Sequence, residues 1–269
     1  MSRSLRPLRL ASAVASLLCA AALQAQTRPS PSAEVEFSKA RSLYYTPVDA
    51  GLRGFHCEVT FDWKALLQKA SNQPVADTDE RLAYLRTIQL SVDDTLRGTG
   101  ELHWQAPSPA PEGAEDSVGK IRDGIQGLWA GFFQSWNGFI TGDMMTEDAK
   151  ATVEHTPAGF HLSARNGPGL AEEQYDNKLL LQTVHVTTPN LDSLQTPTFS
   201  PSARGLLITG LKTTYRQPPS SPPTDVAMQI SYAPVGAFEL PSELQITVGP
   251  AGFDFRLANC TVDTQITQH

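Results

Sequence analysis

Residues 229–262 read QISYAPVGAFELPSELQITVGPAGFDFRLANCTV, and their pattern decides the fold class. Three strands are predicted in succession, at 228–232, 243–248 and 252–262. The first two join through the segment from Pro234 to Pro241, the last two through the turn Gly249-Pro250-Ala251-Gly252. In the third, Phe253, Phe255 and Leu257 fall on one face and Asp254 and Arg256 on the other, the alternation of a half-buried strand. Phe238, Leu240 and Leu244 add apolar bulk around the corner. A sheet with one apolar face requires a second layer to cover it.

Outward from this end, the clearest strand is 53–63. There Phe55, Cys57, Val59, Phe61 and Trp63 alternate with His56, Glu58, Thr60 and Asp62. Strands are also predicted at 84–95 and 100–105, a hairpin around 96–99, and at 152–154, 159–164, 178–187, 205–216 and 224–232. In 178–187, Leu179, Leu181, Thr183 and His185 fall on one side. Helices are predicted at 33–45, 64–70 and 117–139, and proline-rich loops at 106–113 and 217–223. The class is α+β: a large antiparallel sheet of about nine or ten strands, covered by two or three helices, with no βαβ rhythm.

The helix at 117–139 is the unusual one. Val118, Ile121, Ile125, Leu128, Trp129, Phe132 and Trp136 recur at helical spacing, with Phe133 beside them, so one face is broadly apolar and aromatic. Yet Gly119, Gly124, Gly127 and Gly131 lie inside it, and each interior glycine costs about 0.8–1 kcal/mol relative to alanine. Such a helix forms because something holds its apolar face. It reads as a core helix on a sheet, or as a lid over a hydrophobic cavity that opens at modest cost. A third reading, an interfacial membrane helix, lacks the usual Lys and Arg on the polar face.

The N-terminus carries Arg3, Arg6 and Arg9, an apolar run over 10–23 and a small residue, Ala25. This predicts a cleaved signal peptide at 1–25, with Ala22 as the alternative site, then a flexible leader at 26–33 and a single β-rich domain at 34–269. The apolar run is too short to span a bilayer, so an integral membrane protein is not expected. Cys19 follows Leu18, where lipoprotein processing uses a small residue. The whole chain has 21 basic and 28 acidic residues; loss of three arginines leaves 18 against 28, a net of −10. With no basic run, nucleic acid and anionic membranes are poor partners.

Removing the signal leaves Cys57 and Cys260, and two thiols in an oxidising compartment predict one disulfide. Cys260 falls out of register with Phe253, Phe255 and Leu257, and a bulge near Ala258-Asn259 would restore it. The alternative is two separate buried thiols.

Reaction motifs are absent: there is no nucleophile elbow, phosphate loop or zinc-helix signature. His155, His161 and His185 read as scattered surface histidines rather than a metal cluster. Asp93-Asp94, on a strand, cannot act jointly, because neighbours there point to opposite faces. Glu172-Glu173 is expected in a loop, and both pairs read as solvated charge. The expectation is a non-enzymatic protein without a cofactor.

The run 53–59, RGFHCEV, after an initial helix, and the run 230–241, ISYAPVGAFELP, carry a resemblance. In order of elements and in this late-strand spacing the chain resembles the periplasmic lipoprotein-carrier superfamily, that of the outer-membrane lipoprotein sorting protein. The resemblance implies an antiparallel sheet bent into a half-barrel, closed by helices, with acyl chains in the apolar space between. This chain is longer than the minimal carriers and lacks their Asp-Gly and Trp-Tyr run. The expected function is a periplasmic or secreted carrier of a lipid, a lipoprotein acyl chain or another apolar ligand. The expected lining is Ile125, Leu128, Trp129, Phe132, Phe133 and Trp136 from the helix with Phe55, Val59 and Phe61 from the strand. The rival expectation is a non-catalytic envelope structural or interaction module with a filled core and an envelope protein as partner.

Overall fold

The computed structural model describes residues 31–96, 100–141, 150–217 and 222–264. The expected signal peptide and most of the leader lie outside them. Four helices are described: α1 (Pro31–Arg41), α2 (Trp63–Ser71), α3 (Glu80–Leu85) and α4 (Glu115–Thr141). The first strands are β1 (Leu52–Phe61), β2 (Gln89–Asp94) and β3 (Glu101–Gln105). After α4 come β4 (Lys150–Thr156), β5 (Gly159–Asn166), β6 (Gly169–Asp176), β7 (Leu181–Thr188) and β8 (Leu191–Ser202). The chain closes with β9 (Gly205–Arg216), β10 (Thr224–Val235), β11 (Phe238–Val248) and β12 (Ala251–Thr264).

All twelve strands form one open, curved antiparallel sheet in the order β3-β2-β1-β12-β11-β10-β9-β8-β7-β6-β5-β4. Nine successive strands form a meander from β4 to β12, and the first three dock on its end through β1–β12 pairing. The one connection between the two edges runs through α4. Its 27 residues span about 40 Å at 1.5 Å per residue, against about 53 Å for a flat sheet of twelve strands.

Twelve strands exceed the nine or ten expected, because β6 and β8 did not look like strands. In β8, Pro197 and Pro201 sit opposite Leu211 and Leu206 within the ladder. In β6 the inward positions include a glutamate: Glu173 is 1 % exposed. The acidic pair therefore lies on a strand, with its members on opposite faces, and not in a loop.

Boundaries moved elsewhere too. Residues 84–85 belong to α3, whose N-cap Asp79 accepts from the amides of Arg81 and Leu82. The segment from Pro234 to Pro241 is itself a hairpin, with Pro234 paired to Glu239 and Gly236 taking a positive φ in the turn. In β7 a register shift opposite Gln174 and Tyr175 puts Leu181 inside, while Thr183 and His185 stay on the outer face with Gln174 and Glu172.

The cysteines are joined: Cys57 and Cys260 form a disulfide with Cα atoms 4.1 Å apart. Its geometry needs the bulge. His56 pairs with Thr261 and Glu58 with Ala258, so Asn259 and Cys260 together face Cys57, and Asn259 adopts a left-handed φ of 51°. The extra residue turns Cys260 toward the buried Cys57, while the Asn259 amide donates to Glu58 at 2.8 Å.

Candidate functional site

α4 lies across the inner face of the sheet, and its contacts change character along its length. Its first turn carries Glu115 and Asp116, favourable at a helix N-terminus. From there to Leu128 the buried positions are aliphatic: Val118, Ile125 and Leu128, with Ile121 partly buried. Among the described residues, one long side-chain bond ties this half to another element, from Gln126 Nε2 to the Leu102 carbonyl at 3.4 Å. Gly119 and Gly124 sit where an added Cβ would meet nothing within 4 Å, as does Gly138 near the other end of the helix, so packing requires none of the three.

From Trp129 onward the helix is locked. Trp129, Phe132, Phe133 and Trp136 are at most 2 % exposed and pack on one another, with ring centroids 5.2–5.7 Å apart. Phe133 lies flat over Gly100, where a Cβ would fall 2.4 Å from the ring, so glycine is required there. Trp136 Nε1 donates to the Tyr232 hydroxyl at 3.0 Å, which donates to the Ile208 carbonyl at 2.8 Å. Asn137 Nδ2 donates to Asp94 Oδ1 at 3.3 Å, and Arg41 Nη2 donates to the Thr141 carbonyl at 2.9 Å.

The strand residues predicted to line a site are under this helix. Phe55 meets Phe133 at 6.3 Å and Trp136 at 5.8 Å, and Val59 is buried between Leu90 and Leu257 in register. Phe61 is only partly buried; it stacks on Phe255 at 4.7 Å, and Phe255 in turn meets Trp129 at 5.2 Å. The nine residues are thus one continuous apolar assembly, with Phe255 as the link that helical and strand periodicity named separately.

Two carboxyl groups on the inner face were not legible as buried. Asp94 is 2 % exposed, and desolvation raises its pKa from 3.8 to about 6, opposed by bonds from the Leu96 amide and Asn137. Glu173 is raised to about 7 by burial, and the Tyr175 hydroxyl donates to it at 2.7 Å. Neither is solvated charge. Asp94 Oδ2, Glu173 Oε1 and Trp129 Nε1 are buried without a hydrogen-bond partner among the described residues. Each such group costs about 1–3 kcal/mol in the closed arrangement.

On the outer face the remaining members of the acidic pairs bridge histidines. Asp93 lies 2.8 Å from His56 Nδ1 and 2.7 Å from His103 Nε2. Glu172 lies between His161 at 3.7 Å and His185 at 3.6 Å, and Asp192 joins His185 to Arg216. These are half-exposed cross-strand pairs, and no group of three His, Cys, Asp or Glu among the described residues converges to hold a metal. No described helix is long and apolar enough to cross a membrane.

A concavity lies near the C-terminal end of α4, a solvent-open groove of about 780 Å³. Arg41, Arg204, Ser38, Ser42, Thr46, Asp49, Tyr44 and Tyr45 line it, with Ala50. An isolated parallel bridge builds it: the Tyr45 amide donates to Leu206 at 2.9 Å and the Leu206 amide to Leu43 at 2.8 Å. Gly205, at φ +126°, permits the approach, since a Cβ would sit 3.0 Å from three backbone atoms of 43–45. No sequence motif announced this site, because its parts come from α1, from the segment 42–50 that follows it and from the distant β8–β9 turn.

Comparison of the chain with models of known protein families gives no match, and comparison with characterised proteins gives none either.

Proposed function

We propose that this protein is an exported, non-enzymatic carrier of an apolar ligand, a lipid or an acyl chain, received between α4 and the inner face of a half-barrel sheet. The observation that carries this reading is the N-terminal half of α4. It covers an apolar strip of the sheet, yet it holds two glycines that packing does not require and one long side-chain bond. A segment that must lift from its sheet is expected to be weakly held. Lifting it as far as Trp129 would present Ile121, Ile125 and Leu128 on one side and Val59, Leu90, Leu102 and Phe255 on the other, with Trp129 at the inner limit of the opening. Burial there would return about 0.8 kcal/mol per methylene. The unpartnered Trp129 Nε1 would have an ester or carboxyl oxygen to meet. The disulfide fits an oxidising compartment, and the resemblance to the periplasmic lipoprotein carriers points the same way.

A second reading is favoured by the packing of the C-terminal half: a filled, non-catalytic envelope module that works through its surface. Native mass spectrometry of the purified protein, followed by solvent extraction, separates the two. The carrier reading expects a lipid near one-to-one stoichiometry, or saturable uptake of added lipid. A clean mass with no uptake favours the module.

A further inference from the structure

The groove beside the C-terminal end of α4 is separate from the apolar contacts beneath the N-terminal half of that helix. We infer that it binds a phosphate ester, with Arg204 and Arg41 as the anion-recognising pair.

The argument begins with charge. The chain as a whole is acidic, with a net charge of −7, yet this groove is lined by two arginines against a single carboxylate, Asp49. Arg41 belongs to the stretch 38–50 that supplies most of the lining, and Arg204 is brought to it from a distant part of the chain. Arg41 sits in the last turn of α1, and Arg204 sits in the β8–β9 turn, fixed by the Tyr44–Leu206 bridge and by Gly205 immediately after it.

Arg204 is exposed and its side chain has no hydrogen-bond or ion-pair partner among the described residues. Its charge is felt in the groove wall: it lowers the Tyr45 pKa against the larger rise caused by burial. Arg41 is anchored to the Thr141 carbonyl at 2.9 Å but meets Asp49 only loosely, at 3.4 Å to each oxygen. Asp49 is better held by Thr46, whose hydroxyl donates to it at 2.7 Å. Asp49 thus stands as an intramolecular placeholder that a doubly charged phosphate outcompetes.

The walls fit a small molecule rather than a bare ion. About 780 Å³ is in the range of ligand clefts and far above the volume of a phosphate. Tyr44 and Tyr45 make a rigid wall because their hydroxyls are already engaged, accepting from the Leu181 amide at 2.7 Å and the Glu239 amide at 3.1 Å. Ser38 and Ser42 add hydroxyls at the rim. Guanidinium forks match phosphate oxygens bidentately, which a lone ammonium does not. The phosphate ester can come from a soluble metabolite or from a lipid headgroup, and the two share this chemistry.

The test is calorimetric titration with sn-glycerol 3-phosphate at low salt, with glycerol as control, and cosedimentation with phosphatidylglycerol vesicles. Binding of the phosphate and not of glycerol is expected. Arg204→Ala weakens it about ten-fold, the loss of one charge-assisted contact, and Arg204→Lys recovers part of that loss. Asp49→Asn, which removes the competing carboxylate, strengthens binding, an outcome that a purely structural role would not give. Arg204-dependent binding of glycerol phosphate supports a soluble ligand, and Arg204-dependent binding of vesicles alone supports a headgroup. Both stand whether or not a lipid enters beneath α4. Glycerol phosphate and vesicles each unaffected by Arg204→Ala would overturn the inference and leave the carrier reading untouched.

Discussion

The two halves of α4 share one helix and one apolar face but are held in different ways. Before Trp129 the helix rests on aliphatic contacts, with Gly119 and Gly124 facing open space. From Trp129 onward four aromatic rings interlock, and bonds to Tyr232, Asp94 and Arg41 fix the helix to three separate elements, although Gly138 there also faces open space. Continuity of secondary structure is therefore no guide to uniform stability, because helix strength comes mainly from what the face is packed against.

The largest expected effect lies at the seam beneath the anchored half. Cys57→Ser with Cys260→Ser opens a closure 203 residues apart in sequence. Chain-entropy reasoning places the loss at about 5 kcal/mol, read from urea unfolding. Next, Trp136→Ala removes a ring 2 % exposed together with the bond it donates to Tyr232, and about 3–5 kcal/mol of stability is expected to go. Ile121→Ala in the other half, partly buried, should cost only about 1 kcal/mol. Equal losses for the two substitutions would erase the contrast between the halves.

Protonation probes the same contrast more gently. Asp94, beside the anchored half, has its pKa raised from 3.8 to about 6, and Glu173 from 4.5 to about 7. For a carboxyl raised in the folded state, the stabilising contribution is complete below the unfolded pKa and is lost as pH rises through the folded one. Stability should therefore decline from about pH 4 to about pH 7, by about 3 kcal/mol for Asp94. Asp94→Asn should remove that share of the slope, and a slope unchanged by the substitution would contradict the assignment.

The smallest effects come from the glycines. Gly119→Ala and Gly124→Ala should each stabilise by about 0.5–1 kcal/mol, since the added Cβ meets nothing, and should slow lipid uptake in proportion. Added stability without slower uptake would separate helix strength from ligand entry.

Much of the sheet was legible because alternation survives in β1, β9 and β12. The need for a bulge at Ala258-Asn259 could be read from the register of Cys260 alone. What escaped did so for definite reasons. Glu173 occupies an inward position usually marked by an apolar residue, so β6 looked like a loop; prolines hid β8. The aromatic face of α4 was visible in the helical period, but the polar bonds that hold one half were not. Asp94, Tyr232 and Arg41 lie 43, 96 and 100 residues from their partners, beyond any local pattern. The arginine groove escaped for the same reason.

Hydrogen exchange resolved along α4, with and without added lipid, tests the central claim most directly. The account predicts that amides of 119–127 exchange faster than those of 133–140 in the free protein, and that lipid alters protection mainly in the first group. Uniform exchange along the helix, indifferent to lipid, would contradict it.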